Sequence, residues 1–98
     1  VNPIDEAIRS SYQFNLSSYR KLDENPYDFI RKRLSILVSR DNDTFAHLLV
    51  TKGALQNVLT VCSTAKTSQG GIVALDTIQE AIQRRYEEFG QQGFRTLG

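Results

Sequence analysis

Apolar residues recur at helical spacing near the start of the chain. Ile4, Ala7, Ile8 and Tyr12 occupy positions i, i+3, i+4 and i+8. This spacing is typical of one face of a helix. Pro3 suits the first helical turn, because a backbone N–H at that position has no partner within the helix. We therefore expect a helix over residues 3–14, with Asn2 as a candidate N-cap.

The middle of the chain alternates apolar and polar side chains instead. Leu34, Ile36 and Val38 are separated by polar residues, which is the period of a half-buried strand. The polar stretch "YRKLDENPY" is expected to be extended, because Pro26 disfavours helix in the residue before it. "TFAHLLVT" predicts a more apolar strand, and the turn-forming "RDND" precedes it. Residues 30–51 are therefore expected to form a hairpin.

Helical spacing returns after Gly53. Leu55, Val58, Leu59 and Cys62 predict a short helix with one buried stripe. "IVAL" predicts a short strand before Asp76, which has capping-box spacing to Gln79 and would open a third helix. "GQQG" would end that helix, and "FRTLG" is expected to begin another strand.

This order of elements predicts an α+β fold, a mostly antiparallel twisted sheet with helices packed against it. A chain of 98 residues has room for one domain, which would span residues 1–98. It lacks an initial methionine and ends where a strand is expected to begin, so we interpret it as a fragment of a longer protein.

Charge and composition narrow the classes of function. Twelve basic and 11 acidic side chains leave a net charge of +1, too little to favour a nucleic acid or a membrane surface as partner. No run of 18 apolar residues predicts a membrane span. A single cysteine cannot form an internal disulfide, which fits a reducing compartment.

Residues for hydrolysis or metal binding are not grouped in the sequence. The only histidine, His47, lies in an apolar strand, where a solvated sheet histidine is the common case. Glu87 and Glu88 are adjacent on a helix and would point apart. Cys62 is expected on the buried stripe, as a small apolar residue. We therefore predict no catalytic residue and no metal ligand, which argues against an independent small hydrolase.

The stretch "LLVTKGAL" predicts a strand, a lysine, a glycine and then a helix. Free N–H groups at a helix start favour an anion, and Lys52 would add a positive charge at the same edge. On this stretch alone, a surface lysine beside a turn glycine is the favoured interpretation. The stretch is no phosphate-binding P-loop, because the upstream glycine and the Ser/Thr after the lysine are missing.

Four stretches, "NPIDEAI", "PYDFIRKRLSILV", "TKGALQNVLTVC" and "GQQGFRTLG", together resemble the nucleotide-binding domain of P-type cation-transporting ATPases. They are most similar to the bacterial magnesium-transporting branch, and the similarity covers nearly the whole chain. The resemblance implies a cytoplasmic domain of an integral membrane pump of the bacterial inner membrane. Its cofactor would be ATP, as Mg-ATP in the full-length pump.

The same resemblance implies a mechanism and partners. The domain would present the γ-phosphate to an aspartate on a neighbouring phosphorylation domain, with that domain and the actuator domain as partners in the same polypeptide. The motif that carries this aspartate, Asp-Lys-Thr-Gly-Thr, is absent here, so the fragment is expected to bind ATP without hydrolysing it. The transported ion depends on membrane helices outside this chain. The alternative is a protein-interaction domain that has lost nucleotide binding.

The resemblance also implies the cations of the ATP pocket and the glycine that follows one of them. Lys52 and Gly53 match a lysine-glycine-alanine motif at a strand end, where the lysine lines the ATP pocket. Lys32 matches a second pocket lysine, and Arg95 matches an arginine near the phosphates.

Three further positions concern the adenine. Asp5 matches an acidic residue near the base, and Tyr27 matches the aromatic residue that stacks on it, commonly phenylalanine. Phe29 is a rival for the stacking role, two residues on and expected on the same strand face; otherwise it would be a core residue. An aromatic ring, a carboxylate and cations at the rim are the groups that an adenine nucleotide requires.

Overall fold

The structure is a computed structural model that describes residues 3–40 and 43–98, with backbone only for residues 43–46. The expected N-cap Asn2 and the centre of the "RDND" turn lie outside the described residues. The helices and strands are α1 (Pro3–Ser11), β1 (Tyr19–Asp28), β2 (Arg33–Arg40), β3 (Asp43–Gly53), α2 (Leu55–Leu59), β4 (Thr64–Lys66), β5 (Ile72–Ala74) and α3 (Gln79–Gln91). The predicted α+β class is confirmed.

The sheet that carries Tyr27, Lys52 and Gly53 has three antiparallel strands in the order β1-β2-β3. The predicted hairpin is β2–β3, in which Leu34 pairs with Lys52 and Ser35 pairs with Thr51. Directly opposite residues share a face, so Leu34 and Lys52 lie on one face and Ser35 and Thr51 lie on the other. The hydroxyl groups of Ser35 and Thr51 are hydrogen-bonded at 2.8 Å.

Burial is concentrated at few positions. Among the described side chains, Val38 in β2 and Leu75 before α3 are the buried apolar residues, and Ser39, which follows Val38 in β2, is buried as well. Strand β3 exposes apolar side chains on both faces, since Leu48 and Leu49 are 51% and 63% exposed. The central strand β2, hydrogen-bonded on both sides, therefore forms the most protected part of the sheet.

The helix boundaries differ from the predicted ones in the first half of the chain. Helix α1 ends at Ser11 instead of residue 14. Helix α2 ends at Leu59, so Cys62 lies beyond it and is exposed, and the predicted buried position of this cysteine is wrong. Its Sγ donates to the Val58 carbonyl at 3.3 Å.

The second half shows further differences. The predicted capping box is wrong: a 3₁₀ turn over Leu75–Thr77 precedes α3, whose N-cap is Ile78 with no side-chain hydrogen bond. Strand β4 was not predicted, since three residues are too few for a periodic pattern. The expected final strand is an isolated bridge between Ala54 and Leu97.

Candidate functional site

Lys52 lies near the end of β3, on the sheet face that α1 approaches. Its Nζ donates to Oδ1 of Asp5 in α1, which is 47 residues away in sequence. Both side chains are 34% exposed. Two of the predicted site residues are thus in direct contact, as a half-buried ion pair that links the first helix to the sheet.

Gly53 is buried directly beside this lysine. A Cβ at this position would lie 2.3 Å from the carbonyl oxygen of Lys32 and 2.7 Å from Cα of Arg33. Both neighbours are backbone atoms and cannot rotate away. Gly53 also exchanges two backbone hydrogen bonds with Gly98, at 3.1 and 2.9 Å. Only glycine therefore permits β3 to pass this close to the start of β2.

Lys32 occupies the turn between β1 and β2 with a φ of 57°. It is the one non-glycine residue of the described chain in the left-handed region, which is unfavourable for a side chain with a Cβ. Its carbonyl accepts the N–H of Ala54 at 3.1 Å, and its own N–H donates to the Asp28 carbonyl at 2.6 Å. The exposed Lys32 is therefore tied by its backbone to the segment that follows Lys52.

Asp28 organises the same turn, although it was not among the predicted site residues. Its Oδ1 accepts the N–H groups of Ile30 at 2.8 Å and Arg31 at 3.0 Å. These bonds favour the ionised carboxylate and hold the pKa of Asp28 below its ordinary value of 3.8, with the bond from Arg31 the larger contribution. An aspartate that opens a turn is a recognisable sequence signal, and it could have been used here.

The two candidate stacking rings meet at the end of β1. Tyr27 lies in the strand and Phe29 lies in the turn after it, so the expectation that they share a strand face is wrong, because β1 ends at Asp28. Their ring centroids are 5.0 Å apart at an interplanar angle of 81°, an edge-to-face contact. Tyr27 is 43% exposed and Phe29 is 84% exposed. The alternative that Phe29 is a core residue is therefore wrong.

Arg95 lies in the segment after α3 and is exposed. It lines a cavity of about 510 Å³ together with Lys32, Ala54, the start of α2 and one side of α3. Asp5, Lys52, Tyr27 and Phe29 are not among the described residues of that lining. The predicted cations are therefore divided: Lys32 and Arg95 line the cavity, whereas Lys52 is paired with Asp5 outside the described lining.

The profile of the P-type ATPase cytoplasmic domain N matches residues 5–98. The chain belongs to this family. The predicted family resemblance is therefore confirmed, and it covers every one of the predicted site residues. Within the described part of the chain, no three His, Cys, Asp or Glu residues are grouped to hold a metal ion.

Curated relatives of this N domain transport different cations. The chain is 42% identical over 82 residues to the magnesium-transporting ATPase, P-type 1, of Escherichia coli K12, which covers 83% of this chain and 9% of that protein. It is 36% identical over 73 residues to a calcium-transporting ATPase of Arabidopsis thaliana, endoplasmic reticulum-type, covering 74% of this chain and 7% of that protein. The human sodium/potassium-transporting ATPase subunit alpha-2 is 37% identical over 79 residues, which covers 80% of this chain and 8% of that protein.

The identity is thus higher to the magnesium-transporting relative than to the calcium and sodium/potassium relatives, in agreement with the predicted branch. The chain spans less than a tenth of the length of these relatives. None of the helices in the described N-domain residues is long and apolar enough to cross a membrane.

Proposed function

We propose that the chain binds ATP as the cytoplasmic nucleotide-binding domain of a P-type cation pump. It would present the γ-phosphate to an aspartate on the phosphorylation domain of the same polypeptide, with the actuator domain as a further partner. Magnesium is the first candidate for the transported ion, because the identity to the magnesium-transporting relative is the highest of the three. Mg-ATP would be the bound form in the full-length protein, which would lie in a bacterial inner membrane.

One observation carries the proposal. Arg33 of β2 pairs with Asp28 on one side and Gly53 on the other. Although Tyr27 lies at a shift in register between Asn25 and Asp28, the ends of β1 and β3 that carry Tyr27 and Lys52 therefore lie at the same level of the sheet. Only β2 separates them, and two strand spacings amount to about 10 Å. An extended nucleotide covers that span with its base at one end and its phosphates at the other.

The residue types at the two ends fit a nucleotide. Tyr27 and Phe29 offer exposed ring surface for a base, which stacks on aromatic side chains without requiring a particular hydrogen-bond pattern. Lys52, Lys32 and Arg95 offer cations for phosphates, with Arg95 able to donate two parallel N–H bonds to phosphate oxygens. Gly53 is the position that lets the backbone of Lys32 lie against the end of β3, directly after Lys52.

The binding test titrates ATP into the isolated chain and follows backbone amide shifts by NMR. A shift cluster around residues 5, 27, 32 and 52 is expected. Lys52→Ala should weaken ATP binding by roughly three- to tenfold, which corresponds to about 1 kcal/mol. Lys66→Ala, in exposed strand β4, is the matched control and should bind like the parent chain. Absence of any shift cluster would favour an interaction domain that has lost its nucleotide.

The hydrolysis test uses the same isolated chain, which should convert ATP to ADP no faster than buffer does. Neither a phosphorylatable aspartate motif nor a paired nucleophile and base is present. Turnover that survives repurification and disappears in His47→Ala or Glu88→Ala would contradict this part of the proposal.

A further inference from the structure

The ion pair between Asp5 and Lys52 places a carboxylate against a lysine that is proposed to bind phosphate. The contact is direct, and each side chain is two-thirds buried. Partial burial lowers the screening of the two charges compared with a fully exposed surface pair. The resemblance assigns Asp5 to the adenine, whereas the geometry joins it to the cation.

We propose that Asp5 competes with the nucleotide's phosphates for Lys52, so that the pair sets how strongly the site prefers charged over uncharged adenine compounds. This inference rests on the proposed function. A lysine ammonium is a compact charge with three N–H donors, and carboxylate and phosphate oxygens are both acceptors for it. A phosphate that reaches Lys52 must share or displace the Asp5 carboxylate.

Charge repulsion acts in the same direction as this competition. Metal-free ATP carries several negative charges, and a carboxylate next to its phosphate site opposes its entry. Magnesium reduces the charge of the nucleotide, and adenosine has no phosphate. The opposing effect of Asp5 should therefore be largest for metal-free ATP, smaller for Mg-ATP and absent for adenosine.

The experiment is isothermal calorimetry of the parent chain and Asp5→Asn with these three compounds. Asp5→Asn should bind metal-free ATP about three- to tenfold more tightly, the range for a partly exposed charge contact. The affinity for Mg-ATP should increase by a smaller factor, and the affinity for adenosine should stay unchanged. Asp5→Ser provides a second neutral variant if the asparagine chain melts below the assay temperature.

Two further variants separate local from general charge effects. Glu6→Gln changes the net charge by the same amount on the same exposed helical turn, and should leave the affinities unchanged. Asp5→Asn introduced into Lys52→Gln should give a smaller gain in ATP affinity than in the parent chain, because charge repulsion is still relieved but the lysine that the first substitution would release is missing. This double-mutant cycle isolates the coupling between the two residues.

Other outcomes overturn the inference. Loss of adenosine and ATP affinity alike in Asp5→Asn would assign Asp5 to the base, and loss for ATP alone would mean that Asp5 positions Lys52 for the phosphates. An equal gain in ATP affinity in Glu6→Gln would mean that the effect depends only on the net charge of the chain. If neither the parent chain nor any variant binds an adenine compound, the proposed function fails and this inference fails with it.

Discussion

The two ends of the proposed nucleotide site are built in different ways. At the cation end, backbone contacts between Gly53, Lys32 and Gly98 determine the geometry, and a single Cβ would collide with main-chain atoms. At the aromatic end, Tyr27 and Phe29 contact each other through side chains at an exposed turn. Substitutions that disturb the backbone contacts at the first end should therefore act mainly on folding, and substitutions of the rings at the second end should act mainly on affinity.

Gly53→Ala should have the largest effect. The new Cβ would meet the Lys32 carbonyl oxygen at 2.3 Å, so either β3 or the turn must move. We expect the free energy of unfolding to fall by about 3 kcal/mol, measured by urea denaturation. Gly90→Ala in α3 is the control, because its Cβ would meet nothing within 4 Å. It should stabilise the chain by about 1 kcal/mol, and similar losses in both variants would refute the comparison.

Tyr27→Leu should weaken ATP, ADP and adenosine binding equally, by about 1–3 kcal/mol, because the lost contact is with the base. Calorimetry with adenosine and ATP, together with thermal melts, provides the measurement. Phe29→Leu is the matched variant, and at 84% exposure it should leave the melting temperature unchanged. Loss of adenosine binding in Phe29→Leu alone would assign the stacking role to Phe29. If both variants bind adenosine normally, neither ring belongs to the nucleotide site.

Lys32→Gly should separate stability from binding. Glycine adopts a φ of 57° without the Cβ repulsion that lysine has there, so the free energy of unfolding should rise by about 1 kcal/mol. ATP affinity should fall, because a phosphate-binding cation is lost. Lys66→Gly in extended β4 is the control and should be destabilising. If Lys32→Gly lowers stability, the turn does not carry the strain inferred from its backbone.

Acidification should produce the smallest effect, at Asp28. Its folded pKa lies below 3.8, so its contribution to stability is complete above that pH and is lost as the pH falls through the folded pKa. Urea denaturation at a series of pH values should show that the free energy of unfolding falls less at acidic pH in Asp28→Asn than in the parent chain. In Asp76→Asn, which replaces an exposed carboxylate, the free energy of unfolding should fall at acidic pH as much as it does in the parent chain. Equal acid sensitivity in all three chains would contradict the role of Asp28 in the turn.

Elements with a long, regular pattern could be predicted from the sequence. The alternation around Ile36 was sufficient to predict the β2–β3 hairpin, and the position of Pro26 was sufficient to predict that the β1 segment is extended. Elements that depend on a residue far away in sequence could not be predicted. The expected strand at the end of the chain is only a bridge from Leu97 to Ala54, which no local pattern indicates. The spacing of Asp76 and Gln79 was correct for a cap, but Asp76 is used in a 3₁₀ turn instead.

The site residues could be named from family resemblance, but their contacts could not. Asp5 and Lys52 are 47 residues apart, and no local pattern indicates that they form an ion pair. The left-handed backbone of Lys32 is equally hidden, because lysine has no preference for that conformation. Their roles in nucleotide binding remain predictions.

The order of strands in the sheet has a consequence for folding kinetics. Strands β1, β2 and β3 are neighbours both in sequence and in the sheet, so their pairing closes short loops and should be fast. The ion pair between Asp5 and Lys52 closes a loop of 47 residues, which carries a larger entropy loss. The sheet should therefore form first and the α1 contact later. A refolding chain would regain its strand signal before it regains a complete nucleotide site.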